Sequence, residues 1–158
     1  MKKIMGLMLG TLLISGCAAL PEGDSVGTRG LLLCEANEVC PTVLVSWNEQ
    51  KKDLLDMKIS LNSVNTYYEI NRVNFSNGQK TLSFNPAAAT QQEVILGMYR
   101  SRVMVAVPVK LMAELSSGSK ENLGITMSLE TNKGVITRYV LKDGKESSLY
   151  QQFKEVYK

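Results

Sequence analysis

Along residues 55–61 the side chains alternate without a break: Leu55, Met57, Ile59 and Leu61 are apolar, while Asp56, Lys58 and Ser60 between them are polar. Successive side chains of an extended chain point to opposite faces, so a period of two buries one face and wets the other, which a helix cannot do. This segment is therefore a strand with one dry face, and it needs neighbours. Val43, Val45 and Trp47 alternate with Thr42, Leu44 and Ser46 and supply one. Residues 68–75 and 80–84 read as a hairpin through Asn77-Gly78, a dipeptide suited to a two-residue type I′ turn, which predicts the pairs Val73–Leu82 and Phe75–Lys80. Tyr68 and Ile70 lie on the other parity from Val73 and Phe75, so a bulge is expected near Asn71 and Arg72.

From Arg102 to Val107 the chain is apolar on both parities, which predicts a central strand covered on both faces. Pro108 then opens a short helix bearing Leu111, Met112 and Leu115. Residues 125–130 and 135–141 form a second hairpin across Asn132-Lys133-Gly134, expected to set Met127 opposite Tyr139 and Ile125 opposite Leu141 on the core side. A C-terminal amphipathic helix starts at Ser147 or Ser148 and carries Leu149, Phe153 and Val156 on one stripe. Pro86 to Gln92 fits a helix start or a loop, and the stripe of the C-terminal helix fits core packing, the alternative being that this helix or the apolar Val94 to Met98 segment docks a partner. The fold class expected is α+β, a mainly antiparallel sheet of about seven strands with two or three short helices; a small β-sandwich is the alternative.

The N-terminus follows other rules. Met1-Lys2-Lys3 precedes an apolar run from Ile4 to Ile14, and Ser15-Gly16-Cys17 follows, which is the layout of an export signal. At 11 residues the run is too short to span a bilayer, which takes about 20. Leu13-Ile14-Ser15-Gly16-Cys17 resembles the lipobox of bacterial lipoprotein precursors. The resemblance covers the N-terminus alone, and it implies that residues 1–16 are removed and that Cys17 carries a thioether-linked diacylglycerol and an N-acyl chain. Ala18 stands where the family's Gram-negative sorting rule places Asp in proteins kept at the inner membrane, so the resemblance implies an outer-membrane anchor facing the periplasm. Each buried methylene contributes about 0.8 kcal/mol, and several chains together hold firmly. Residues 17–30, with three glycines and a proline, read as a lipidated tether reaching roughly 20 Å, ahead of one globular domain at 31–158.

Without Lys2 and Lys3 the basic residues fall from 18 to 16 against 15 acids, and the charges are interspersed, which argues against nucleic acid as a partner. With Cys17 used by lipid, Cys34 and Cys40 remain as an even pair for an oxidising compartment to join. The chain has no histidine, which removes the commonest general base and metal ligand. Ser117-Gly118-Ser119-Lys120 matches the S-x-x-K pattern of penicillin-binding proteins, with Ser63-Val64-Asn65 and Lys142-Asp143-Gly144 as loose companions. The order along the chain is wrong for that family, and a polar surface loop accounts for the string. Glu35 and Glu38 could supply paired carboxylates for glycan hydrolysis, and Asp53 and Asp56 lack the spacing of a calcium loop. Tyr67, Tyr68, Tyr139, Tyr150 and Tyr157 with Trp47 suit either the rim of a core or a protein-binding patch.

The expectation is a non-enzymatic envelope component without metal or cofactor, held to a membrane by Cys17 and binding an envelope or secreted protein. A carboxylate-dependent peptidoglycan or glycan hydrolase and a lipid or small-ligand carrier are the rivals. Cys17→Ser should leave the domain folded but abolish acylation; fractionation and mass spectrometry should find the variant unlipidated and absent from the detergent-released fraction.

Overall fold

The computed structural model describes residues 27–29, 31–47, 51–117 and 124–156. The proposed signal at 1–16, Cys17, the tether up to residue 26, Gly118 to Lys120 and Tyr157 lie outside them. Among the described residues the strands are β1 (Gly27–Arg29), β2 (Leu32–Cys34), β3 (Thr42–Trp47), β4 (Leu54–Ser63), β5 (Ile70–Ser76), β6 (Thr81–Phe84), β7 (Gln91–Ile95), β8 (Met98–Pro108), β9 (Ile125–Thr131), β10 (Gly134–Lys142) and β11 (Lys145–Glu146); the helices are α1 (Leu111–Ser116) and α2 (Ser148–Val156).

They form two antiparallel sheets. The first runs β1-β2-β10-β9-β5-β6, with β11 paired to β10, and the second runs β3-β4-β8-β7. The alternating strand read from sequence is β4, and its apolar face is 0–1% exposed from Leu55 to Leu61. It faces a core shared with Val103, Val105 and Val107 of β8 and with Val73, Phe75, Met127 and Leu129 of the first sheet. Each such side chain stabilises the fold by about 2 kcal/mol when withdrawn from water. The mainly antiparallel α+β architecture expected from sequence is therefore present, with its strands divided between two facing sheets.

Both helices close one end. Leu111, Met112 and Leu115 of α1 and Leu149 and Phe153 of α2 are buried in the shared core. Ser147 caps α2 by accepting the Tyr150 amide at 3.2 Å through Oγ. Asn77 fastens the β5–β6 turn to this end: its Nδ2 donates to the Leu115 carbonyl at 2.7 Å, while its Oδ1 accepts the Gln79 and Lys80 amides at 3.0 and 2.7 Å. At the other end the segment before β5 is pinned by two hydroxyls. Ser101 Oγ accepts the Tyr68 amide and Thr90 Oγ1 accepts the Ile70 amide, both at 2.8 Å.

Several local expectations are corrected. Phe75 pairs with Leu82 and Val73 with Phe84, so the turn spans Asn77 to Lys80 and is longer than the two-residue Asn-Gly form. The Asn77 amide side chain, tied to α1 and to its own turn, sets that length. Gly134 pairs with Thr131, so the turn is the two-residue Asn132-Lys133 and not a three-residue loop. Met127 therefore pairs with Arg138, Val140 enters the core and Tyr139 faces out, and a bulge between Tyr139 and Leu141 restores the expected Ile125–Leu141 pair. β8 is central in its sheet, yet Met104 and Ala106 on its outer face are exposed, because the helices cap the end of the two sheets and leave that face bare. Pro108 ends β8, and α1 starts three residues later behind Lys110. Residues 27–29, placed in the tether by composition, pair with β2. The predicted bulge at Asn71 is present, as the register shifts between Ile70 and Arg72.

Asn77→Ala should cost about 3 kcal/mol, because the buried Leu115 carbonyl loses its donor and two turn amides lose their acceptor. Urea unfolding of the two proteins checks this.

Candidate functional site

Away from the helices, the β7–β8 hairpin carries Leu96, the most exposed large apolar residue among the described residues. Ile95 pairs with Met98 across the two-residue turn Leu96-Gly97. Both turn residues have positive φ, 51° and 77°, as a type I′ turn requires. Gly97 suits that geometry and Leu96 does not, since a left-handed conformation costs an ordinary L-residue roughly 1 to 2 kcal/mol. The β10–β11 hairpin makes the contrast within one molecule: its turn is Asp143-Gly144, at φ 50° and 76°, the residue types this geometry favours. Leu96 thus occupies the position that Asp143 fills in the other turn, and it is 96% exposed. Val94, at 59%, and Met98 complete an apolar crown around it.

The hairpin below this crown is tightly held. On its outer face Glu93 pairs with Arg102 at 2.7 Å and with Arg100 at 3.8 Å, and Arg100 Nε donates to Asn62 Oδ1 at 3.0 Å. On the other face Tyr99 meets Tyr67 edge to face, with centroids 4.9 Å apart. Strain at a solvent-facing residue persists only where the surroundings fix it, and these contacts do so.

Beside the hairpin lies an open cleft of about 570 Å³, lined by Asn37, Glu38 and Val39 of the disulfide loop and by Asn62, Ser63 and Tyr68. Cys34 and Cys40 are joined, with Cα atoms 5.9 Å apart. Within the loop they close, the Glu35 amide donates to Glu38 Oε2 at 3.0 Å, and Arg138 Nε lies 3.3 Å from the same oxygen. Of the two carboxylates that a hydrolytic reading would pair, Glu38 is engaged in holding the loop. Val39 and Val64 at the cleft's edge extend the exposed apolar surface.

The other sequence candidates are scattered. Ser63 lines the cleft, away from Ser117, which ends α1, and from Lys142-Asp143-Gly144, which leads into the β10–β11 turn; the rest of the S-x-x-K string lies outside the described residues. Asp56 lies on the outer face of β4, and the Asp53 carbonyl accepts the Val109 amide at 3.0 Å. Among the described residues no group of three acidic, cysteine or histidine side chains is placed to hold a metal ion. Tyr150 bonds Ser116 across the helices, Tyr139 lies under Lys142 Nζ and Trp47 sits at an edge strand, so the aromatics form no single patch. Among the described residues, Tyr67, Tyr68 and Tyr99 gather at this end. On the exposed surface a hydrogen bond to Glu146 holds the Lys154 ammonium above its usual range.

Comparison of the chain with family models, curated proteins and solved structures gave no match. The hairpin tip was half legible in the sequence. Val94 to Met98 stood out as apolar, but Leu96-Gly97 lacks the residues that announce a turn.

Reducing the Cys34–Cys40 bond should lower stability by roughly 2 to 2.5 kcal/mol on chain-entropy grounds. Denaturant titration with and without reductant checks this.

Proposed function

We propose that this chain is a lipid-anchored envelope protein, held to the outer membrane through Cys17, that binds another envelope or secreted protein through the tip of the β7–β8 hairpin. The observation that carries the binding half is Leu96: an apolar, almost wholly exposed residue in a left-handed turn conformation that Asn, Asp or Gly would adopt at less cost. Neither folding stability nor solubility favours leucine there, whereas an apolar pocket on a partner would. A rigid anchor of this kind loses little conformational entropy when it is covered.

The lipobox resemblance supports the anchoring half, and the disulfide agrees with an oxidising compartment. The absence of histidine and the engagement of Glu38 by Arg138 favour binding over hydrolysis. A carrier would need an apolar chamber between sheets and helices, where Leu111, Leu115, Leu149 and Phe153 are packed into the core.

Leu96→Asn separates stability from binding. It should raise unfolding free energy by about 1 kcal/mol through relief of the left-handed strain. A photoreactive side chain at position 96, introduced in cells, should give a discrete adduct with one protein, while the same group at Lys154 on α2 should give none. No adduct at 96, or the same adducts at both sites, would remove the reading.

A further inference from the structure

The second sheet has two edges, and they are built differently. At β7 the edge carries Glu93, drawn into ion pairs with Arg100 and Arg102. At β3 there is no such guard. Thr42-Val43-Leu44-Val45-Ser46-Trp47 has no charge, no proline, no glycine and no bulge against β4, and among the described residues it pairs with β4 alone. Such a strand offers half its backbone N–H and C=O groups to any extended segment that fits.

The strand's own sequence says what fits. About Leu44 it is symmetric in residue type: Val43 answers Val45, and Thr42 answers Ser46. We propose that β3 pairs antiparallel with β3 of a second copy of this chain, about a two-fold axis through Leu44. Opposed residues in an antiparallel pair share a face, so the axis must pass through a residue and not between two. With the axis at Leu44, the two leucines, each 60% exposed, cover one another on the outer face. Val43 meets Val45 on the core side, Thr42 meets Ser46, and Trp47, itself 51% exposed, falls beside Pro41 of the second copy. Like-with-like apolar and hydroxyl pairs are favourable cross-strand neighbours. With the axis one residue further on, at Val45, Leu44 would instead face Ser46.

The pairing closes on itself. Two four-stranded sheets join into one of eight, and the edges left over are the two charged β7 strands, so the product is a dimer and not a fibre. β3 and the β7–β8 hairpin lie on opposite edges of the sheet, so the pairing goes beyond the partner-binding reading and stands or falls without it.

The test uses the full-length chain in detergent. Leu44→Cys places two thiols within disulfide reach across the axis, while Lys58→Cys, on the neighbouring strand in the same row, places them a further strand away on each side. A covalent dimer on a non-reducing gel should form with Leu44→Cys well above the level given by Lys58→Cys or the unsubstituted chain. Sedimentation should give twice the monomer mass for the unsubstituted chain and for Leu96→Asn, and the monomer mass for Leu44→Lys, which sets like charges directly opposite each other. Equal crosslinking by the two cysteine variants, a monomeric unsubstituted chain, or a dimer that survives Leu44→Lys would each overturn the proposal.

Discussion

Burial of one face of β4 is the constraint on which the rest of this structure depends. Leu55, Met57, Ile59 and Leu61 are almost fully withdrawn from water, and the strand that carries them pairs with β3 on one side and β8 on the other. One dry face demands a second apolar layer, which β5, β9 and β10 supply. The end left open between the layers is sealed by α1 and α2, whose stripes enter the same core. Because period two admits no slip of a single residue, this burial also fixes which side chains of β8 and β7 face outward. The crown at Val94, Leu96 and Met98 follows from that register and from the two-residue turn that ends it.

Division of labour between the two ends follows from the same plan. Where the helices sit, polar groups are turned inward to secure packing, as Asn77 is on the Leu115 carbonyl. Where they are absent, loops meet over the sheet ends and polar side chains line a cleft, while the disulfide and the Glu38–Arg138 pair keep the adjoining loop in place. A rigid body with variable loops at one end is a common basis for recognition. Here the apolar residues at that end are held by ion pairs on one face and by an edge-to-face tyrosine pair on the other.

What the sequence disclosed and what it withheld differ for physical reasons. β4, α1 and the cap of α2 were legible because each is set by a local pattern that tertiary contacts reinforce. The bulge at Asn71 was legible because two parities collide within one strand. Hairpin registers were not, since Asn77 spends its side chain on a distant carbonyl and Gly134, read as part of a three-residue loop, is already paired with Thr131. β7 was hidden by Gln91-Gln92-Glu93, which shows no alternation because much of that edge strand is exposed on both faces. Of the candidate site, the apolar composition of Val94 to Met98 could be read, but the strain at Leu96 could not, since it exists only in the folded backbone.

The central claim is that a preorganised hairpin, and not a loose loop, presents Leu96. Native-state hydrogen exchange tests it most directly, amide by amide. The account predicts that paired amides of β7 and β8 from Glu93 to Arg100 are protected close to the level of β4 around Met57, with exchange accelerating only at the two turn residues. Exchange through Gln92 to Arg100 at the rate of an unstructured peptide would contradict it.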